Sequence, residues 1–237
     1  MLIIIEHYKQ EYLDQAKEVG FDFQPWYSDK FYHENTKTQS YRCEVDGKEV
    51  ILIRAGYGLN YSLAVVDYLS YVNYKKEEHL LDGSEMVVAS VACFSPSEYC
   101  QDEYKIGEIV TAPQVLHLES KTLYPCINLL NSKGIATSQA DQLWGGKGDA
   151  FDLWYYGWEH FEKVTTTKYA IELSDYSVAY GVHAAQMSGM DTIAIGFIRE
   201  TYYQGHQAIS SEQKIEAYYN IFQTLYNYAL YWKHPRT

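Results

Sequence analysis

The amino-acid sequence predicts an α/β fold, a three-layer αβα sandwich around a central mixed, mostly parallel sheet. Short apolar runs such as Leu2–Ile5 and Met86–Cys93 have the length of buried strands, and they alternate along the chain with amphipathic patterns of helical period. Continuous apolar runs indicate strands that are covered on both faces, as in parallel sheets. The Asp46-Gly47 pair between two strand-like segments predicts one antiparallel hairpin.

The predicted elements follow one another without a linker or an internal repeat, so we expect a single domain over residues 1–237. Strands are predicted at 2–5, 39–45, 48–55, 86–93, 109–112, 135–138, 169–173 and 192–198. Helices are predicted at 10–19, from 63 to about 74, at 123–130, at 175–187 and from Ser210 onward.

The predicted last helix has the clearest local signals. Ser210 and Gln213 have the spacing of a capping box, in which the two side chains satisfy backbone N–H groups of the first turn. Its predicted apolar face consists of Ile215, Tyr219, Phe222, Tyr226 and Ala229.

Composition and charge argue against several classes of partner. Hydrophobic residues make up 47% of the chain and charged residues 21%, as in proteins that bury a core. The net charge is −12 and the basic runs are short, so we expect no nucleic-acid binding, because phosphate contacts need clustered Lys and Arg. The amino terminus lacks a basic signal-peptide start and no stretch approaches twenty apolar residues. We therefore expect a soluble, cytoplasmic protein without a membrane partner.

Tyrosine, cysteine and histidine usage adds further expectations. The 25 tyrosines suit half-buried positions, interfaces and polar pockets, because the ring is apolar and the hydroxyl needs a partner. The four cysteines form no CxxC pair and show no metal-ligand spacing with histidine, so we expect reduced thiols. The histidines are scattered, and we expect neither a metal site nor a cofactor.

Gly56-Tyr57-Gly58 lies between a predicted strand and a predicted helix. Glycines at such a turn let the backbone approach a ligand, and the following helix N-terminus favours an anion. The alternative is a plain tight turn, because neither the dinucleotide fingerprint nor a phosphate-binding lysine is present.

Two further carboxylates follow predicted strands, where open α/β sheets bind their ligands. Glu11 lies early in the first predicted helix, and Glu200 comes with Arg199 at the end of the strand at 192–198. A carboxyl at such a place can be a general acid if burial raises its pKa. The alternatives are a solvated helical turn for Glu11 and a surface ion pair for Arg199 and Glu200.

Glu172 lies within the apolar strand segment Ala170-Ile171-Glu172-Leu173. A charge in such a context needs a partner or a function. For Glu172 a structural and a functional role remain equally open, whereas Ser174 or Asp175 is suited to cap the next helix.

Taken in order, five segments resemble the nucleoside phosphorylase and nucleosidase superfamily, which includes purine and uridine phosphorylases and methylthioadenosine/S-adenosylhomocysteine nucleosidases. The segments are Ile3–Ile5 with Glu11, Val50–Gly58 with Asn60, Val87–Cys93 with Lys105–Glu108, Ser138–Trp144, and Ala170–Ser174 with Gly196–Glu200. The resemblance covers residues 1 to about 201. It implies a phosphorylase/hydrolase-like fold, a nucleoside ligand, and a homodimer or higher homo-oligomer.

The resemblance also implies a reaction, the cleavage of an N-glycosidic bond in a purine nucleoside or a related N-riboside, with no metal or cofactor. Glu200 would protonate the leaving base and Glu11 would activate water. The other residues implied at the substrate are Glu172 and Ser174 at the ribose, Leu143 and Trp144 at the base, and Val91, Gly56 and Gly58 around the pocket.

The chain departs from the family pattern in ways that leave a second function open. Ser174 stands in place of the family's second ribose-binding glutamate, Glu200 in place of an aspartate, and Ser90–Phe94 in place of a glycine-rich loop. Glu6-His7-Tyr8 replaces the glycine-rich phosphate loop, which favours hydrolysis over phosphorolysis. The alternative is a catalytically impaired nucleoside-binding or protein-interaction relative. The aromatic-rich segment 145–164 is then a candidate lid, dimer surface or partner site.

Overall fold

The structure is a computed structural model, and it describes residues 1–6, 12–26, 39–55, 61–62, 64–66, 86–97, 100–118, 120–138, 170–201 and 207–232. The strands are β1 Leu2–Glu6, β2 Gln24–Pro25, β3 Gln39–Val45, β4 Lys48–Arg54, β5 Val87–Pro96, β6 Ile109–Ala112, β7 Gln114–His117, β8 Thr122–Pro125, β9 Ile135–Ser138, β10 Ile171–Asp175, β11 Asp191–Ile198, β12 Glu200–Thr201 and β13 Gln207–Ala208. The helices whose bounds are described are α1 Leu13–Glu18, α2 Val178–Met187 and α3 Ser211–Tyr231, and residues 61–62 and 64–66 are also helical.

Eleven of these strands form one mixed sheet in the order β2-β3-β4-β1-β5-β10-β9-β7-β8, with β11 beside β5 and β6 beside β11. The ladders β4–β1–β5–β11 and β10–β9–β7 are parallel. Antiparallel pairs lie at the edges and where β5 meets β10. This confirms the predicted α/β class with a mixed sheet that is parallel at its centre.

Alternate residues of β1 show why the sheet is covered on both faces. Leu2 and Ile4 pack into the core formed with α1 and α3, whereas Ile3 and Ile5 pack into a second core on the opposite face. Successive side chains of a strand point to opposite faces, so an uninterrupted apolar run requires a helix layer on each side. The three-layer arrangement follows from this pattern.

Strand β5 is the centre of the sheet. All ten of its residues are buried. It runs parallel to β1 through Ser90 and parallel to β11 through Phe94, and it then pairs antiparallel with β10 at Ser95 and Pro96. The strand extends three residues beyond the predicted end at Cys93, and this extension brings three strands together at Ser95.

Two local predictions are confirmed. Asp46 and Gly47 have positive φ angles of 50° and 72° and connect β3 to β4, as a two-residue hairpin turn requires. Ser210 is the N-cap of α3, and both hydrogen bonds of the capping box with Gln213 are present.

The predicted helix at 123–130 is wrong. The chain forms β8 instead, antiparallel to β7, and then a turn. Pro125 would fall in the first turn of the predicted helix, where proline is tolerated, so the pairing with β7 is what makes this segment a strand. Edge strands tolerate proline, and β8 is the last strand of the sheet.

The predicted start of α2 and the predicted buried face of α3 also differ from the structure. Asp175 is the last residue of β10, and α2 begins only at Val178. Ile215 of α3 is 46% exposed. The buried residues of α3 are Ala217, Tyr218, Ile221, Phe222, Leu225 and Ala229. Phe222 and Ala229 are thus buried as predicted, and Tyr218 of the observed face stacks on Tyr12 at 4.0 Å between ring centroids.

No helix within the described ranges is both long and apolar enough to cross a membrane.

A glycine inside α2 sets the distance between that helix and β5. A Cβ atom at Gly181 would overlap the Ser90 side-chain oxygen and would approach the Tyr61 ring to 3.2 Å. The Ser90 hydroxyl itself is buried and has no hydrogen-bond partner. The close packing of α2 against β5 therefore requires glycine at position 181, because any larger residue would overlap Ser90.

We expect Gly181→Ala to lower the free energy of unfolding by about 1–3 kcal/mol, because it overpacks the helix–sheet contact. Ser90→Ala removes the overlapping, unpartnered hydroxyl and should by itself be nearly neutral. The double variant should regain most of the loss, which urea unfolding of all four proteins measures. An equal loss in the single Gly181→Ala and the double variant would contradict this explanation.

Candidate active site

Three strand ends meet at one place in the sheet. Ser95 near the end of β5 pairs with Ser174 of β10, whose hydroxyl donates to the Ser95 carbonyl oxygen at 3.4 Å. The backbone N–H of Arg199, at the end of β11, donates to the Phe94 carbonyl at 2.8 Å. These contacts place the Arg199 and Glu200 side chains beside Ser95.

Glu200 takes part in a triangle of polar side chains. The Ser95 hydroxyl donates to Glu200 Oε1 at 3.0 Å, and Arg199 Nη2 forms an ion pair with the same oxygen. Arg199 Nη2 also lies 3.2 Å from the Ser95 hydroxyl. The Glu200 side chain is 16% exposed, so its carboxylate is held in place near the surface of the site.

The Arg199 guanidinium is the cation of this site. It lies over the Tyr176 ring at 5.2 Å from the centroid. Burial alone lowers the pKa of Arg199, but Tyr176 and Glu200 together raise it above its usual range. Arg199 Nε is buried without a hydrogen-bond partner, which costs about 1–3 kcal/mol for a typical polar group.

Asp175, the last residue of β10, is 3% exposed. Its Oδ1 accepts hydrogen bonds from the backbone N–H groups of Ser177 and Val178 at 3.0 and 2.9 Å and from the Ser138 hydroxyl at 3.0 Å. Its Oδ2 is buried without a partner. Burial raises the pKa of Asp175 to about 6, although these hydrogen bonds and Arg199 oppose the shift.

The N-cap of α2 is Ser177, and the Asp175 side chain binds the first N–H groups of the helix from the end of β10, where such sheets bind ligands. Ser138 and Asp175 pair at the carboxyl ends of the parallel strands β9 and β10. Ligands of open α/β sheets bind beyond strand ends of this kind. A buried acid with a raised pKa at this position is a candidate for function as well as for structure.

The structure does not bring Glu172 together with Ser174 and Glu200. A register irregularity between Ile171 and Leu173 interrupts the alternation of side chains in β10. The Glu172 carboxylate accepts a hydrogen bond from the Tyr104 hydroxyl at 2.8 Å. It lines a cavity of about 390 Å³ to which Ser174 and Glu200 do not contribute.

Val91 lies in the hydrophobic core rather than at a strand end. It is 1% exposed, and its carbonyl accepts a hydrogen bond from the Tyr61 hydroxyl at 2.8 Å. Because β5 continues to Pro96, the polar residue at the site is Ser95, which sequence reasoning missed. Pro96, which cannot continue a central ladder, is the signal that could have located the strand end.

Five predicted site residues lie outside the described residues: Glu11, Gly56, Gly58, Leu143 and Trp144. The aromatic segment 145–164 also lies outside them. Within the described ranges, no group of three or more His, Cys, Asp or Glu side chains is arranged to hold a metal ion.

The solved structures that this chain resembles include nucleosidases and a futalosine hydrolase. The 5′-methylthioadenosine nucleosidase of Arabidopsis thaliana matches with a TM-score of 0.66 at 9% identity, covering 100% of this chain and 98% of that one. The S-adenosylhomocysteine nucleosidase of Streptococcus pyogenes, in complex with 5-methylthiotubericidin, matches with a TM-score of 0.62 at 16% identity, covering 97% and 96%. A futalosine hydrolase mutant of Helicobacter pylori matches with a TM-score of 0.61 at 11% identity, covering 95% and 96%.

No family model and no curated protein matches the sequence. Identities of 9–16% establish a shared fold, a nucleosidase-like α/β architecture. The fold predicted from the five resembling segments is therefore confirmed, and the chain is a divergent example of it.

We expect Asp175→Asn to raise the free energy of unfolding at pH 7.5 by about 1–3 kcal/mol and to change it little at pH 4.5. Asparagine keeps Oδ1 as the acceptor for α2 and removes the charge that burial disfavours. The native carboxyl takes up its proton below about pH 6, whereas the unfolded chain does so only near pH 4. The Asp175 carboxyl therefore contributes to the free energy of unfolding at low pH, and this contribution is lost as the pH rises through 6.

Urea unfolding at the two pH values measures this difference. Asp191→Asn, at the exposed first position of β11, removes the same charge and serves as the control. A gain of equal size at both pH values would show that the charge of Asp175 is not responsible.

Proposed function

We propose that the protein hydrolyses the N-glycosidic bond of a purine nucleoside or a related N-riboside. The observation that carries this proposal is the Glu200 carboxyl, held by Ser95 where three strands meet in a fold shared with solved nucleosidases. A carboxyl at this point can protonate a leaving base, and the serine donor keeps it in one orientation.

In the proposed reaction the bond between the anomeric carbon and the base nitrogen breaks, and its electron pair goes to the base. Glu200 supplies the proton that the departing base takes up. A water molecule activated by Glu11 attacks the opposite side of the oxocarbenium-like sugar, and its proton passes to Glu11. The products are the free base and the free sugar, so atoms and charges balance without phosphate.

The substrate contacts are part of the same proposal. Ser174, next to Ser95, is the proposed ribose contact from β10. Leu143 and Trp144 are proposed to pack against the base, and Gly56 and Gly58 to border the pocket. Glu172 and Val91 are omitted, because one lines a separate cavity and the other lies in the core. We also propose that the protein is cytoplasmic and forms a homodimer or a higher homo-oligomer, whose mass light scattering would measure.

One observation favours a second function, nucleoside binding without catalysis. Arg199 forms an ion pair with Glu200, and a neighbouring cation favours the ionised form of a carboxyl. An ionised Glu200 cannot donate a proton. A protein in which this ion pair persists with ligand bound would recognise a nucleoside but leave it intact.

The decisive experiment incubates the purified protein with adenosine, inosine, 5′-methylthioadenosine and uridine, with and without phosphate, and measures free base by chromatography. We expect release from a purine nucleoside without phosphate. Glu200→Gln and Glu11→Gln should each lower kcat at least about 10²-fold, because each removes a proton-transfer group. Glu216→Gln, an exposed position of α3, is the matched control and should leave the rate unchanged.

Three outcomes would contradict the proposal. Release that requires phosphate would indicate a phosphorylase. Hydrolysis that survives Glu200→Gln unchanged would remove Glu200 from the mechanism. No release from any nucleoside, together with a nucleoside-dependent rise in Tm, would favour the binding function.

A further inference from the structure

Glu6 and Arg54 form a buried ion pair at the carboxyl ends of two parallel strands. Glu6 ends β1, Arg54 ends β4, and the two residues lie opposite each other in the ladder. Arg54 Nε is 3.1 Å from Glu6 Oε1, and the two side chains are 11% and 3% exposed. Arg54 Nη1 also donates to Gln39 Oε1 at 3.0 Å. The strands on both sides of β4 thus hold the guanidinium in place.

The ion pair lies on the same face of the sheet as the candidate active site. Glu6 comes two residues after Ile4, and Ser95 comes two residues after Cys93. Ile4 and Cys93 both pack into the core formed with α1 and α3. Because side chains alternate along a strand, Glu6 and Ser95 face this same side, toward the strand ends where open sheets bind ligands.

The register of β1 and β5 gives the separation of the two positions. Ile5 lies opposite Ser90, so Ser95 is four residues beyond the level of Glu6. Four residues of a strand span roughly 13 Å, at about 3.3 Å per residue. This separation leaves room for a ribosyl group between Glu6 on one side and the Ser95–Glu200 pair on the other. Glu6 therefore lies on the side from which the proposed water attacks, and Glu11 follows it by five positions in the chain.

Water and phosphate can both attack a sugar, and the charge at the attack side decides between them. Phosphate is an anion at neutral pH, so it binds guanidinium groups and is repelled by a fixed carboxylate. The described structure places a guanidinium at this strand end, but it is paired with the Glu6 carboxylate. The ion pair therefore offers phosphate no net positive charge, whereas neutral water is not repelled by it.

We propose that Glu6 determines the choice of nucleophile. By pairing with Arg54, the Glu6 carboxylate keeps phosphate away from the attack side and leaves that side to water. Glu6 is then a specificity-determining residue and takes no part in proton transfer. The choice of nucleophile rests on the proposed function, whereas the exclusion of phosphate from Arg54 does not.

The first test needs no nucleoside. The Tm is measured at pH 7.5 in sodium phosphate and in sodium chloride of equal ionic strength. Phosphate stabilises many proteins without binding to a site, so the measured quantity is the rise in Tm beyond that of the unmodified protein. Glu6→Gln keeps the size of the side chain and removes its charge. We expect an extra rise of at least about 2 °C in phosphate, because a ligand of the native state raises Tm.

Two further variants show whether Arg54 is the phosphate ligand. The double variant Glu6→Gln/Arg54→Gln should lose the extra rise, because it lacks the guanidinium. Glu216→Gln, at an exposed position of α3, removes one negative charge elsewhere and should behave as the unmodified protein does. An extra rise that survives the loss of Arg54, or no extra rise in Glu6→Gln, would overturn the proposal.

Loss of one partner of a buried ion pair can prevent folding. If Glu6→Gln is unfolded in chloride, we expect phosphate to restore its far-UV circular dichroism. Failure of phosphate to do so while the uncharged double variant folds would contradict the proposal. The unmodified protein supplies a measurement that needs no variant, the titration of phosphate followed by ³¹P NMR. We expect no saturable binding, and saturable binding would show that Glu6 does not exclude phosphate.

The consequence for the reaction is measured on a nucleoside that the protein cleaves. The unmodified protein should release free sugar with or without phosphate. Glu6→Gln should raise the fraction of sugar 1-phosphate at least about tenfold, because a like charge no longer opposes phosphate. In that reaction a phosphate oxygen bonds to the anomeric carbon, and the base leaves with the electron pair and a proton from Glu200.

The two sets of measurements separate this proposal from the proposed function. A Glu6→Gln protein that binds phosphate but forms only free sugar would show that Glu6 does not choose the nucleophile. If no nucleoside is cleaved by any variant, the proposed function fails. The phosphate measurements then still decide whether Glu6 keeps phosphate from Arg54.

Discussion

The pairing of β5 with three other strands is the constraint on which the rest of the structure depends. β5 is buried along its whole length, runs parallel to β1 and β11, and then meets β10 in the antiparallel sense at Ser95 and Pro96. Each backbone N–H and C=O group of a buried strand needs a hydrogen-bond partner. Along one edge of β5 this partner is β1 up to Ser90 and β10 at Ser95 and Pro96, so the position of β10 and its polar end is determined by β5. Ser95 of β5 contacts Ser174 and Glu200 because β10 and the end of β11 both lie beside the end of β5. The close approach of α2 at Gly181 keeps the same strand covered on its other face.

Electrostatics at this junction differs from that of a surface ion pair. Arg199 and Glu200 are partly buried, and Asp175 is almost fully enclosed, so their interactions are screened less than those of exposed charges. The unsatisfied oxygen of Asp175 and the unsatisfied nitrogen of Arg199 lower the stability of the native state.

Much of the fold could be predicted because its signals are local. The faces of β1, the turn at Asp46-Gly47 and the capping box at Ser210 depend on residues that are neighbours in the chain, and each is found in the structure. The helix predicted at 123–130 was wrong because no local signal in this apolar run distinguishes a helix from a strand. Leu123 and its neighbours match a helical period, yet the pairing with β7 makes this segment an edge strand. Tertiary pairing outweighs a weak local preference in such a segment.

For the site, the sequence by itself determined which carboxyl groups follow buried strands, and it identified Glu200 with Arg199 on that basis. It also predicted the nucleosidase-like fold in which they lie. The tertiary structure was needed to show that Ser95 orients Glu200, that Glu172 faces another cavity, and that Asp175 is buried against Ser138 and the start of α2. The physical reason is that strand register and burial are long-range properties. Ser95 and Glu200 are 105 positions apart in the chain, and their contact exists only because β5 and β11 run side by side.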